Sequence, residues 1–246
     1  MNELIKSVAE MGLSQTIYNI FFALGFVSVF LFVFFFGNKM GVKPWKSVVT
    51  VAIVYPTAVL WMFILPWIES GFTVFGANNI VRVFVYIPLI AYPVAKLVKL
   101  QWKEICSMLA LGPIAVHGIS HLGCIFPGCC NGYPCSWGFY NIRTGDIRFP
   151  SQPIEALAAW AIIIYLLIRA KKRNYVPDGL EYPLMLIWFG STRFIFEFLR
   201  DNDKIWLGCS SLAFHALFMF IVGVVALVII KKKNAEKAQQ RALQEE

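Results

Sequence analysis

Apolar residues run along this chain in long blocks, not in the strict alternation of a half-buried strand or the single stripe of a surface helix. Blocks of about 18–22 residues cross roughly 30 Å of hydrocarbon as helices. Seven can be placed: Ile17–Phe36, Ser47–Ile68, Asn79–Leu100, Glu104–Phe126, Gln152–Arg169, Leu180–Arg200 and Cys209–Ile230. The pattern predicts an all-α integral membrane protein with seven transmembrane helices in one polytopic domain, 1–246. Ahead of the first block, Leu4, Ile5, Val8 and Met11 recur at helical spacing, so residues 1–16 read as an interfacial helix. That segment has neither the cationic start nor the small-residue cleavage site of a secretory signal, so the first block is expected to be kept. Pro56, Pro88, Pro93, Pro113 and Pro183 fall inside blocks and predict kinks where neighbouring helices satisfy the freed carbonyls.

Charge orients this path. Lys39, Lys43 and Lys46 follow block one; Lys96, Lys99 and Lys103 follow block three. Arg169, Lys171, Lys172 and Arg173 follow block five, and Lys231, Lys232, Lys233, Lys237 and Arg241 follow block seven. All four clusters fall on one side of a seven-helix path, which the positive-inside rule makes the cytoplasm. The N-terminus is then outside, the C-terminus is inside, and residues 231–246 are a basic cytoplasmic tail. Composition agrees: 59% of the 246 residues are hydrophobic and 15% charged, and the mean hydropathy is +0.66, outside the range of soluble domains. The formal net charge of +8 would suit nucleic acid, but its placement at helix ends suits a membrane surface and no nucleic-acid motif is present. The few outer cations, Lys6, Arg82, Arg143, Arg148, Arg200 and Lys204, read as serving something other than topology.

Three stretches break the apolar pattern with groups that carry chemistry. His117, His121 and Cys124 stand at i, i+4 and i+7 and share a helix face at the outer end of block four. Imidazoles one turn apart could relay a proton, bind metal, or simply hydrogen-bond between helices. A glycine-rich turn follows with Cys129, Cys130 and Cys135, and topology puts these, Cys124 and Cys209 on the oxidising face and Cys106 on the reducing one. Five outer cysteines cannot all pair within one chain, and the four in the turn would staple it as disulfides or serve as thiols. Zinc more usually takes a C-x2-C pair, and adjacent cysteines ligate one ion only with strain, so no metal is assigned. In block six, Arg193, Glu197 and Arg200 form a polar stripe on an aromatic helix, with Glu155 of block five as counter-ion. Ionisable residues at such depth cost about 2.5–3.5 kcal/mol each on insertion scales, and read either as functional or as a closed ion-pair network.

Together these stretches resemble the prolipoprotein diacylglyceryl transferase family. Phe149-Pro-Ser-Gln-Pro-Ile-Glu-Ala-Leu157 is similar to the family's H-P-S-Q-L-Y-E-A-L, and Arg193-Phe-Ile-Phe-Glu-Phe-Leu-Arg200 to its R-F-x-x-E-F-x-R. His121 to Gly132 lies where the family signature R-x-G-N-F-x-N-G-E-x-x-G runs, with His121 in place of its arginine, Cys124 in place of its asparagine and Cys129 near its acidic residue. The family's H-G-G before helix four is missing, since no histidine precedes His117. The resemblance implies a bacterial cytoplasmic-membrane enzyme that moves diacylglyceryl from phosphatidylglycerol to the cysteine thiol of a lipoprotein precursor, with no cofactor and as a monomer. It implies phosphate and substrate binding by Arg193, Arg200, Gly132, Ser151 and Gln152, orientation of the guanidiniums by Glu155 and Glu197, and a base at His117 or His121. Cys124, Cys129, Cys130 and Cys135 support a second reading, a thiol-active membrane protein that relays redox equivalents or carries a thiol-bound group. A transporter or purely structural bundle is disfavoured because the polar motifs cluster at one face.

Overall fold

The computed structural model describes residues 1–73, 83–203 and 209–245. Arg82, Lys204 and the start of the third block at Asn79 lie outside them. The elements in order are α1 (Asn2–Glu10), α2 (Ser14–Lys39), α3 (Pro44–Glu69), α4 (Ile87–Leu97), α5 (Trp102–Leu109), α6 (Leu111–Gly123), β1 (Pro134–Tyr140), β2 (Ile147–Arg148), α7 (Ser151–Lys172), α8 (Glu181–Glu197) and α9 (Ser211–Glu245). Among the described residues, five helical stretches are long and apolar enough to cross a membrane: Ser14–Lys39, Pro44–Ile68, Trp102–Gly123, Ser151–Lys172 and Ser211–Gln240. The sixth block appears as α8, whose 17 residues extend about 25 Å. The third block is represented by the 11 residues of α4.

The fourth block is the centre of the bundle: 89% of its most apolar window is buried, against 22–39% in the other four spans. It is not one straight helix. It breaks at Ala110, between α5 and α6, because Pro113 brings no N–H and its ring crowds the carbonyl of Leu109 one turn earlier. Pro56 and Pro66 stay inside α3 without ending it. The outward faces of the surrounding helices are apolar, with Leu24, Leu31, Leu60, Leu157, Ile164 and Val228 exposed, as a lipid-facing surface requires.

The segments that carry the four basic clusters gather at one end. Lys46 donates to the Lys99 carbonyl at 3.0 Å, and Asn234 Nδ2 donates to the Asp178 carbonyl at 3.0 Å. The backbone at Gly179 packs against both Lys103 and Ile230. Arg169 pairs with Asp178 and Glu181, Arg173 lies 3.3 Å from Asp178, and Ser107 donates to Glu181 at 2.6 Å, tying α5 to α8.

At the opposite end the all-α expectation needs correction. β1 and β2 form a two-stranded antiparallel hairpin, with Tyr140 opposite Ile147 and Phe139 opposite Arg148. Its turn is closed by Asn141, whose N–H meets the Asp146 carbonyl at 2.9 Å and whose side-chain oxygen accepts from the N–H of Arg143 at 2.8 Å. The helix α1 docks on the hairpin: Asn2 Oδ1 accepts from Tyr140 N–H at 3.0 Å and Lys6 sits 4.5 Å from the Tyr140 ring centre. Within α1, Ile5 and Val8 are buried while Leu4 and Met11 are exposed, which splits the expected apolar stripe between protein and surroundings.

Candidate functional site

Three helices deliver charged side chains to one buried point at the hairpin end. His117 and His121 come from the last two turns of α6, Glu155 from the second turn of α7, and Arg193 and Glu197 from the last turns of α8. Gly118 sets the distance between α6 and α7. A Cβ there would stand 3.2 Å from Ala159 Cβ, so the bare backbone lets α7 approach until Glu155 reaches both imidazoles.

Glu155 is the hub. Its Oε2 lies 3.6 Å from His117 Nε2, 3.8 Å from His121 Nε2 and 3.7 Å from Arg193 Nη1, and its Oε1 accepts from Arg200 Nε at 2.7 Å. Glu197 pairs with Arg193 at 2.8 Å and accepts from Asn202 and Ser210. The imidazoles stand 4.0 Å apart between ring centres, and Phe189 packs edge-on against His117 at 4.7 Å. All six ionisable side chains are buried, none more than 7% exposed. Two guanidiniums against two carboxylates balance the charge, and breaking such a set by removing one partner costs about 3–5 kcal/mol.

The set is balanced but not saturated. Arg193 Nη2 is taken up by the ion pair with Glu197 at 2.8 Å, but Arg193 Nε and Nη1 and Arg200 Nη2 are buried donors without a hydrogen bond. A buried donor left unmet costs about 1–3 kcal/mol, more when charged. Guanidinium forks of this kind match phosphate or carboxylate oxygens.

Arg200 corrects the sequence reading: it does not continue the α8 stripe. The helix ends at Glu197, and Arg200 pairs as an isolated β-bridge with Gly132. At this crossing Gly132 N–H meets the Phe149 carbonyl at 3.2 Å and Tyr133 N–H the Leu199 carbonyl at 3.4 Å. A Cβ on Gly132 would sit 2.7 Å from Phe149 Cβ and 2.9 Å from the Leu199 carbonyl, so only glycine fits. Gly132 thus joins the cysteine turn, the hairpin and the end of α8 into one wall. Ser151 and Gln152 likewise act on the turn: Ser151 Oγ donates to the Cys130 carbonyl at 2.6 Å and Gln152 Nε2 to the Cys129 carbonyl at 2.8 Å.

None of the six cysteines is in a disulfide. Cys124, Cys129 and Cys130 cluster beside His121, whereas Cys135 lies apart in β1 and donates to the Trp137 carbonyl. The Cys130 thiol is held well below its ordinary value by hydrogen bonds from Cys124 and Cys129, helped by the positive charge of Arg200, although burial opposes them. Cys129 is drawn down by its bond with Cys124, but Cys130 and burial prevail and push it up to about 12.

Some parts of the site carry no separate mark in the sequence. Asn141 reaches back to the Gly128 carbonyl at 3.0 Å, and Arg143 Nε to the Pro127 carbonyl at 2.8 Å. Arg148 bridges Asp146 at 2.8 Å and also Asp201. For Arg143 and Arg148 the one signal is that they are cations on the side poor in them. A groove of about 690 Å³ between α3 and α4 is lined by residues including Trp61, Tyr86 and Leu89 and by none of the six site residues.

A helical bundle with an apolar outer face, two buried guanidiniums with unmet donors, and two carboxylates and two imidazoles against them defines a membrane protein with a buried, charge-balanced polar cluster. The model of the prolipoprotein diacylglyceryl transferase family matches residues 7–229, and the chain belongs to that family. A phosphatidylglycerol–prolipoprotein diacylglyceryl transferase of Dehalococcoides mccartyi strain BAV1 is 23% identical over 248 residues, covering 89% of this chain and 92% of its own. The transferase 2 of Clostridium perfringens strain 13 is 24% identical over 153 residues, which cover 58% of this chain and only 59% of that relative's length. The Paraburkholderia phymatum enzyme reaches 33% identity over a shorter stretch of 99 residues, 39% of this chain and 33% of its own.

Proposed function

We propose that this protein transfers the diacylglyceryl group of phosphatidylglycerol to a cysteine thiol of a lipoprotein precursor at the outer face of a bacterial cytoplasmic membrane. One observation carries the reading: the three unmet guanidinium nitrogens of Arg193 and Arg200, buried together and oriented by Glu155 and Glu197. Family membership supports it. The chain threads the membrane seven times, with residues 1–16 along the outer surface and 231–246 in the cytoplasm. The meeting of the four basic segments at the end away from the site supports that arrangement.

In the reaction the acceptor sulfur attacks the glycerol carbon that bears the phosphate. A C–S bond forms, the C–O bond breaks, and glycerol phosphate leaves with the electron pair. Arg193 and Arg200 hold the phosphate and stabilise the charge that gathers on the leaving oxygen. The acceptor's thiol proton goes to an imidazole of the His117 and His121 pair, whose positive form Glu155 stabilises from 3.6 or 3.8 Å. No step needs a cofactor.

The test is transfer from labelled phosphatidylglycerol to a precursor peptide by the purified chain. Arg193→Ala is expected to lower the rate on the order of 10²–10³-fold, while Cys106→Ala, in the core far along the bundle, stays within about twofold. Normal lipidation by Arg193→Ala overturns the assignment.

A further inference from the structure

Three metal-ligating side chains meet at the C-terminal end of α6 with a fourth on the turn beside them, and the transfer reaction uses none of the three sulfurs. A ring nitrogen of His121 and the sulfurs of Cys124 and Cys130 all lie within 4.8 Å of one another. Cys129 brings a third sulfur to the same turn, its thiol 3.7 Å from the Cys124 carbonyl.

Adjacent side chains in extended or helical backbone diverge, so Cys129 and Cys130 do not face one point by default. Here Cys130 takes φ +58°, a left-handed conformation that costs a non-glycine residue on the order of 1–3 kcal/mol. The turn is pinned in that shape by Ser151 and Gln152, which hold the carbonyls of Cys130 and Cys129 at 2.6 and 2.8 Å. His121 fits the same purpose. Its Nε2 faces Glu155 at 3.8 Å while its Nδ1 is buried with no hydrogen-bond partner, and a carboxylate behind an imidazole is the usual way a metal-bound histidine is oriented.

The geometry points to a zinc site formed by His121, Cys124, Cys129 and Cys130. Three thiolates and one imidazole are a closed tetrahedral set of the structural kind. Zinc–sulfur bonds of about 2.3 Å put sulfurs about 3.8 Å apart, so His121, Cys124 and Cys130, which lie within 4.8 Å of one another, need only draw in by about 1 Å. Coordination sends the three thiol protons to solvent and leaves a net charge of −1 on the centre, which Arg200, already coupled to Cys130 through its charge, neutralises. Cys129 and Cys130 are only half buried, which gives the ion a way in. The zinc would lock the cysteine turn over the guanidiniums, in the stretch where the family signature has an arginine, an asparagine and an acidic residue instead. This goes beyond the transferase reading and stands without it.

The full-length protein, purified in detergent under reducing, chelator-free conditions, is assayed for bound metal by mass spectrometry. About one zinc per chain is expected, falling at least fivefold in Cys124→Ser and Cys130→Ser and unchanged in Cys135→Ser. Because a turn variant could fail to fold, wild-type protein is also reconstituted with Co2+ alone, which is expected to show tetrahedral d–d bands and a sulfur-to-cobalt charge-transfer band. Zinc content in wild type no higher than in folded Cys124→Ser, a cobalt spectrum without the thiolate band, or a disulfide among the three cysteines in that preparation overturns the proposal. Lipid transfer is not the readout, so the transferase reading can fail or hold separately.

Discussion

Arg193 and Arg200 do different work although both are buried cations on one carboxylate hub. Arg193 pairs through Nη2 with Glu197 but leaves Nε and Nη1 without a hydrogen bond, so it has the most to offer an incoming phosphate. Arg200 spends its Nε on Glu155 at 2.7 Å and is fixed from behind by the bridge to Gly132. Lysine keeps the charge of either residue but not the planar fork. Arg200→Lys is therefore expected to slow lipid transfer about 10–100-fold, chiefly through kcat, and a wild-type rate in a kinetic assay would show that the fork is unused. Gln152→Ala removes the donor to the Cys129 carbonyl and is expected to cost about 1–2 kcal/mol in a chemical or thermal unfolding assay. At this scale much was legible: His117, His121, Glu155, Arg193 and Glu197 each stood out as polar groups in apolar blocks. Glu155 was also readable as the counter-ion of Arg193, which it approaches to 3.7 Å; what those residues did not disclose is that Arg200, 45 positions from Glu155, makes the closer contact at 2.7 Å. The facing of Cys129 and Cys130 depends on one left-handed residue that no local pattern marks.

The helices were readable as elements because lipid imposes a length and a composition on them. The hairpin was not, since β1 is seven residues long and β2 only two, and their turn falls in what reads as a polar outer loop. The break at Ala110 also needed coordinates, although Pro113 announced a kink nearby. The loop between α7 and α8 allows a test of electrostatics outside the membrane-spanning helices. Burial pushes the Asp178 carboxyl up, but hydrogen bonds from Arg169 and the Leu180 N–H, with the charges of Arg169 and Arg173, outweigh it and hold the group below its ordinary value. A carboxyl lowered in the folded state stabilises above its unfolded value of about 3.9, and that stability is lost as pH falls through the lower native value. Asp178→Asn is thus expected to destabilise the protein by about 1–2 kcal/mol at pH 7. The gap to wild type should close as thermal unfolding is repeated in increasingly acidic buffer below pH 4; a gap independent of pH contradicts the ion-pair account.

For the whole molecule, one end holds the four basic clusters and the other holds the chemistry. That polarity predicts an outward-facing site and an inward tail. A membrane-impermeant maleimide is expected to label Cys135 in intact cells, and to label Lys237→Cys, placed on the exposed tail, only after the membrane is opened; the reverse order contradicts the orientation. The central claim concerns the anion site at the outer end. Its most direct measurement is mass spectrometry of a precursor peptide incubated with the purified chain and phosphatidylglycerol, with glycerol phosphate followed in the same reaction. The account predicts a peptide heavier by one diacylglyceryl group on its cysteine, one glycerol phosphate released per peptide, and neither product with Arg193→Ala. A folded wild-type protein that yields neither product, or an Arg193→Ala variant that yields both at the wild-type rate, contradicts it.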